Sequence, residues 1–318
     1  MNKLVFLNSG RIDFDKSLDF SALSRLTDVT KYDNSTDEEI LDRIKEQNIV
    51  VSKELLIGKE LIERFPSSVK LICEAGTGYN NIDIEAARDK GISVCNVPGY
   101  STEAVAQLVI TFILSLSSSL SAQQRMLERK DYSNFTSSLR VPHFEIQNKT
   151  LGVVGAGHIG LQVIKVAKTL GMNILVHSRT AKDLDDSSIK FVGIDELLEK
   201  SDFVTLHCPL TEKTRNLIDM NKLEIMKPSA FIINTSRGAI IKEKDLIRAL
   251  NRRIIAGAAL DVQDPEPPEE SNPLFTMDNV IITPHIGWKC IEARQRLLNV
   301  IAENVEAFIQ EKPINIIR

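Results

Sequence analysis

Three side chains of unlike chemistry follow three short apolar runs in the second half of the sequence. Phe231-Ile232-Ile233 leads into Asn234-Thr235-Ser236-Arg237-Gly238, a run ending at Asp261-Val262 leads to Asp264-Pro265-Glu266-Pro267, and Ile281-Ile282-Thr283 ends at Pro284-His285-Ile286-Gly287-Trp288. Arg237 offers a forked, permanently charged donor, and His285 can exchange a proton near neutral pH. Glu266, in contact with that imidazole, would orient it and raise its proton affinity. Each has a plainer reading: Arg237 as a turn residue, His285 as a hydrogen-bonded core histidine, Glu266 as one acid in a solvated Pro/Glu loop. Their joint placement at strand ends, which converge on the ligand crevice of an open α/β sheet, favours catalysis.

The element that must position them is the stretch from Leu151 to Thr180. An apolar strand, Leu151-Gly152-Val153-Val154, runs into Gly155-Ala156-Gly157-His158-Ile159-Gly160. Helical spacing follows at Ile159, Val163, Val166, Ala167 and Leu170, and after Gly171 comes a second strand, Asn173-Ile174-Leu175-Val176-His177. This is one βαβ unit with a dinucleotide fingerprint: the glycines give a tight turn, close backbone approach to a pyrophosphate and close helix packing. Gly155, Gly157, His158, Ile159 and Gly160 therefore form the expected phosphate cradle at a helix N-terminus.

What closes the second strand selects the cofactor. A carboxylate normally takes the ribose 2′-hydroxyl there, whereas this chain has Ser178-Arg179-Thr180, with no carboxylate before Asp183. A guanidinium between two hydroxyls suits a 2′-phosphate, so NADP(H) is expected over NAD(H). The competing reading makes Arg179 a solvated loop residue and folds Asp183 or Asp185 back onto the ribose.

Composition narrows the class. The 318 residues suffice for two domains, and 43% hydrophobic with 26% charged residues is ordinary for a globular protein. A net charge of −4 without a basic block argues against nucleic-acid or anionic-membrane partners. The longest apolar stretch, Leu108 to Leu120, is interrupted by serines and too short for a bilayer. Cys73, Cys95, Cys208 and Cys290 form no CxxC pair; the first three sit in or beside apolar runs and are expected to be buried, inert thiols in a reducing, cytoplasmic compartment, with no metal site.

Along the chain, residues 1 to about 100 alternate strand and helix, with strands at Leu4–Leu7, Val29–Tyr32, Ile49–Ser52, Val69–Cys73 and Ser93–Asn96. Such β-branched runs between amphipathic helices imply a parallel sheet covered on both faces. A long apolar helix begins at Ser101 or Thr102, residues 130–148 form an irregular loop, and alternation resumes after the fingerprint to give a six-stranded, doubly wound sheet. A last helix, Ile291 to Ile309, returns to the first domain. The expected fold is α/β: a flavodoxin-like domain of residues 1–98, completed by 288–318, and a Rossmann-type domain of residues 99–287.

These pieces, with Ala75-Gly76-Thr77-Gly78-Tyr79-Asn80-Asn81-Ile82-Asp83, resemble the D-isomer-specific 2-hydroxyacid dehydrogenases over nearly the whole chain. Val105-Ala106-Gln107, Trp288, Glu292-Ala293-Arg294-Gln295-Arg296 and Lys312-Pro313-Ile314-Asn315 look most like the glycerate dehydrogenase or hydroxypyruvate reductase branch; Lys289-Cys290 departs from it. The resemblance implies that Arg237, Glu266 and His285 are catalytic, and that Thr77 and Gly78 hold the substrate carboxylate beside Arg237, His285 and Trp288. It further implies that His207, Pro209, Thr214, Thr235, Ser236, Asp261 and Gly287 contact the cofactor, with Asp261 on the nicotinamide carboxamide. The His143, His158, His177 and His207 side chains are read as structural or peripheral, although the resemblance implies that His207 and Pro209 line the adenine slot. Trp288 is read equally as core packing or as a wall of the substrate pocket.

Reducing a 2-keto acid with hydride needs a cation for the carboxylate and keto oxygen and an acid for the developing alkoxide, which these residue types supply. The expected activity is NADPH-dependent reduction of hydroxypyruvate or glyoxylate to the D-hydroxy acid, by a homodimer formed through the helix of residues 101–120. The other readings are an NAD-dependent D-lactate-type dehydrogenase and a non-catalytic sensor of NAD(P)H.

Overall fold

A computed structural model of the chain describes residues 2–179 and 186–317. The chain folds as two compact units, Met1–Ser101 with Trp288–Arg318, and Thr102–Gly287.

The first unit is built on five parallel strands: β1 (Lys3–Phe6), β2 (Asp28–Lys31), β3 (Ile49–Ser52), β4 (Leu71–Glu74) and β5 (Ser93–Cys95). Their order, β2-β1-β3-β4-β5, is that of flavodoxin-like sheets. Strands β3 and β4 are buried throughout, as expected of strands covered on both faces. Local signals set the helices between them. Thr36 and Glu39 form a reciprocal capping box before Asp37–Arg43, and the Asp83 carboxylate accepts from Ala86 N–H to start Ile84–Asp89. The helix Ile291–Ile309 belongs to this unit, burying Ala293, Leu297, Leu298, Ile301 and Val305.

Among its described residues the second unit carries seven parallel strands, not six: β6 (Thr150–Val154), β7 (Asn173–His177), β8 (Ile189–Phe191), β9 (Phe203–Leu206), β10 (Phe231–Asn234), β11 (Gly257–Leu260) and β12 (Val280–Ile282). The order β12-β11-β10-β9-β6-β7-β8 is the Rossmann arrangement with its topological switch between β6 and β9. The additional strand, β8, is a three-residue edge strand pairing only with β7 and lacks an apolar run long enough to announce it. The helix Thr102–Ser117 packs Ala106, Val109, Ile113 and Leu116 on one sheet face, against Leu151, Val153, Phe203 and Ile233. It stops where Ser119 adopts φ 49°, and a second helix, Leu120–Glu128, follows. Within the irregular 130–148 segment only Ser133–Thr136 is helical.

Phe144 docks that segment by stacking on Phe231 with centroids 6.2 Å apart, and Phe231 stacks on the fully buried Phe203 at 5.4 Å. Cys73 and Cys95 are buried as expected. Cys208, however, is only half-buried because it lies in the loop just past β9, and Cys290 is exposed; all four are free. Burial still pushes the Cys208 thiol up to about 11. Removing the fully buried ring of the stack, Phe203→Ala, is expected to cost about 3–5 kcal/mol of stability, and Phe144→Ala less than half as much, because Phe144 is only half-buried. Unfolding monitored by circular dichroism checks the order of the two.

Candidate active site

All strands in a parallel sheet end on the same side, so the loops after β10, β11 and β12 gather at one edge of the second unit. The Asn234 side chain, fully buried, braces the first loop from both ends: its Oδ1 accepts from Ser236 N–H at 3.0 Å and its Nδ2 donates to the Arg237 carbonyl at 2.8 Å. Gly238 then lets this loop close on the next. A Cβ there would lie 1.9 Å from the Gln263 carbonyl oxygen, so Arg237 sits beside the segment leading to Glu266. Arg237 is half-buried, with one guanidinium N–H donating to the Ser236 carbonyl at 2.8 Å.

His285 Nδ1 stands 2.6 Å from Glu266 Oε1, with the two side chains 20% and 37% exposed. Orientation by the carboxylate leaves Nε2 as the nitrogen available to a ligand. The His285 backbone is left-handed, at φ 51°, a conformation that costs energy and persists only when its surroundings hold it. Asp261 supplies that hold. Its Oδ1 accepts from Thr283 Oγ1 (2.6 Å) and Ile286 N–H (2.8 Å), its Oδ2 from Gly287 N–H (2.9 Å), and its carbonyl from His285 N–H (2.9 Å). Burial raises the Asp261 carboxyl above its ordinary value, with the three donors acting in the opposite direction.

The fingerprint glycines stand at the switch point. Gly157 is exposed and caps the helix His158–Thr169 with no side-chain oxygen, so the first N–H groups of that helix are unpaired. A Cβ at Gly160 would lie 2.1 Å from the Gly155 carbonyl oxygen, which is why only glycine brings the helix so close to the turn. His158 is exposed and Ile159 half-buried; past β7, Ser178 is half-buried and Arg179 exposed, while Thr180, Asp183 and Asp185 fall outside the described residues. Burial depresses His207 to about 3, leaving it neutral, with Nε2 2.9 Å from Thr205 Oγ1. Pro209 is exposed, and its carbonyl takes the Thr214 hydroxyl at 2.6 Å, tying Thr214 into its own loop. The Ser236 hydroxyl is likewise spent, on the Leu206 carbonyl at 2.9 Å.

In the first unit, the residues after β4 carry a run of free donors. Among the described residues, the N–H groups of Gly76, Thr77 and Gly78 find no acceptor, while the Thr77 hydroxyl and carbonyl are engaged by Val97 O (3.0 Å) and Asn96 Nδ2 (2.7 Å). Trp288 is 5% exposed in this same unit.

Residues 110–287 match the model of the D-isomer specific 2-hydroxyacid dehydrogenase NAD binding domain. A hydroxypyruvate reductase of Blautia hydrogenotrophica is 35% identical, over 94% of this chain and 95% of its own. A glyoxylate reductase of Thermococcus litoralis is 39% identical, over 87% and 86%. The chain belongs to the D-isomer-specific 2-hydroxyacid dehydrogenase family. Among solved structures, an acyclic imino acid reductase in complex with NADPH and D-Arg superposes with a TM-score of 0.88 at 28% identity, covering 99% of this chain and all of that one.

As a dehydrogenase of this family the protein uses NAD(P), and its own residues fit such a group. Beyond the unpaired helix N-terminus, Thr235 Oγ1 and Gln263 Nε2 are buried at the ends of β10 and β11 without a partner. A buried donor left unmade costs about 1–3 kcal/mol, so these atoms are consistent with a ligand that completes them. Gln263 and the bracing role of Asn234 had no signal in residue spacing. The second role of Asp261, holding the His285 turn, was equally hidden, because it depends on which side of β11 its carboxylate leaves. Among the described residues no cluster of His, Cys, Asp or Glu could hold a metal.

In Asp261→Asn, one acceptor oxygen becomes an amine facing a donor. With the left-handed turn no longer fully held, turnover is expected to fall about tenfold to a hundredfold, the rate equivalent of an unsatisfied buried donor. Initial rates on a variant that keeps the parental circular dichroism spectrum check this; parental turnover would free Asp261 from the role.

Proposed function

We propose that the protein reduces small 2-keto acids with NADPH, hydroxypyruvate to the D-2-hydroxy acid D-glycerate or glyoxylate to the achiral glycolate. The observation that carries the reading is the His285–Glu266 pair at 2.6 Å on a backbone turn held by Asp261, with Arg237 braced beside the Glu266 segment. When bound, the reduced nicotinamide supplies the hydride. Arg237 takes the developing negative charge on the keto oxygen and the adjacent carboxylate, where a fixed, forked cation serves better than a mobile one. His285 holds its transferable proton at Nε2 and delivers it to the forming alkoxide, while Glu266 stabilises the imidazolium before transfer and fixes the ring. In the first unit, the free N–H groups of Thr77 and Gly78 suit the substrate carboxylate. Residues 1–98 with 288–318 thus act as the substrate domain and 99–287 as the dinucleotide domain, in which Asp261 keeps one acceptor position for the nicotinamide carboxamide.

Arg179 is exposed at the end of β7 and meets a 2′-phosphate there. Assays of hydroxypyruvate, glyoxylate and pyruvate with each cofactor test the whole reading. NADPH with hydroxypyruvate or glyoxylate is expected to give the highest kcat/KM, and Arg179→Ala to weaken NADPH by about tenfold while barely moving NADH. Equal losses for both cofactors would remove the phosphate assignment; preference for pyruvate and NADH would favour a D-lactate-type enzyme; NADPH binding without turnover of any keto acid would favour a sensor.

The protein also works as a homodimer. The helix Thr102–Ser117 and the segment after it leave Leu114, Leu120, Tyr132, Phe135 and Leu139 between 42% and 71% exposed, apolar surface suited to a second copy of the chain. Light scattering at micromolar concentration should give twice the chain mass; a monomer would end the assignment. Among the described residues no single helix is long and apolar enough to cross a membrane, although Thr102–Ser117 with Leu120–Glu128, bent by 63°, passes by length and composition as a pair. Burial of the first helix on the sheet and four free thiols support a cytoplasmic enzyme.

A further inference from the structure

Buried polar atoms without a partner include Trp288 Nε1, together with the two cofactor-side atoms already described and Thr27 Oγ1 and Gln47 Oε1. Indole N–H groups that are buried ordinarily find an acceptor, so this exception asks for a reason. The two carboxylates near Lys53 hold other donors. Glu74, fully buried, accepts from Glu54 N–H (3.0 Å), Ser52 Oγ (3.2 Å) and Asn81 Nδ2 (2.9 Å), and Glu54 pairs with Lys53 at 2.7 Å.

The ring itself is fixed. Lys53 Nζ lies 4.2 Å from the indole centroid, and the Lys53 side chain is 3% exposed. Its backbone is clamped by Asn8, which accepts from Lys53 N–H at 2.8 Å and donates to its carbonyl at 2.6 Å. The same ammonium packs on Gly76, where an added Cβ would lie 3.2 Å from Nζ. Lys53 therefore sits against both the indole face and the first residue of the Gly76-Thr77-Gly78 donor run. Chain connectivity adds that Trp288 follows His285 by three residues, a span of at most about 11 Å.

We propose that the Trp288 indole N–H is a specificity group that donates to an oxygen on C3 of the substrate, so that the enzyme selects 2-keto-3-hydroxy acids over pyruvate. The inference rests on the substrate carboxylate lying at Thr77 and Gly78. A site with a reserved donor rejects an analogue that lacks the acceptor more strongly than an apolar pocket rejects a missing carbon, because the donor then stays unpaired in the complex.

Trp288→Phe keeps a ring for Lys53 and removes only the N–H and part of the ring area. The ratio of kcat/KM for hydroxypyruvate to that for pyruvate, measured with NADPH, is expected to fall at least tenfold; an unchanged ratio overturns the proposal. Trp288 is the only tryptophan in the chain, so the wild-type protein gives a second reading that needs no variant to fold. Loaded with NADPH, it is titrated with D-glycerate and with D-lactate, neither of which can react with the reduced cofactor. D-glycerate is expected to shift the indole emission to the red and D-lactate to leave it in place; identical responses to the two overturn the proposal. Wild-type protein that reduces pyruvate and hydroxypyruvate alike would sink the specificity and spare the proposed reaction, whereas protein that reduces no keto acid would sink both.

Discussion

A single buried carboxylate, that of Asp261, governs whether His285 is in place. Without it the turn from Thr283 to Gly287 would have two N–H groups and a hydroxyl to satisfy elsewhere, and His285 would relax from its left-handed backbone. The three hydrogen bonds oppose both the strain of that backbone and the burial of the charge. Removing one partner of such a network costs more than the network contributes as a whole, since the remaining groups are left buried and unpaired. The Glu266 contact acts on a ring whose backbone is already fixed.

Parallel pairing explains why so few residues suffice. Every crossover returns the chain to start the next strand from the same side, so segments far apart in sequence, those ending at Asn234, Leu260 and Ile282, deliver their strand ends to one edge. The close approaches at Gly160 and Gly238 then draw the fingerprint helix to its turn and the Arg237 loop onto the Gln263 segment. Neither approach tolerates even a methyl group, so the precision of the site is set by missing side chains as much as by present ones.

Sequence periodicity disclosed both sheets, the long helices and the fingerprint, because each is a property of neighbouring residues. It missed β8, whose three residues pair with a single neighbour and alternate no further. Cys208 was expected to be buried and is half-buried, since an apolar run says nothing about which residue first leaves the sheet. Residue type alone nominated Arg237, Glu266 and His285. It did not reveal Asn234 as the brace of the Arg237 loop or Lys53 as the partner of Trp288. Those depend on contacts between residues far apart in the chain, 235 positions in the case of Lys53 and Trp288, and no local pattern encodes them.

Two kinds of selectivity are built from opposite physics. Arg179 is exposed, so the attraction proposed for it toward a 2′-phosphate would be moderated by water and salt, and would select because the dianion is present in one cofactor and missing from the other. Nothing is lost at Arg179 when the phosphate is absent, because water replaces it. Trp288 is the reverse: its N–H is shut away from water, so a substrate without an acceptor leaves it unsatisfied and salt cannot compensate. Attraction at an exposed site grades partners, whereas an unmet donor in a buried one excludes them, so the proposed cofactor choice would rest on one surface residue and the proposed substrate choice on the packing around Lys53.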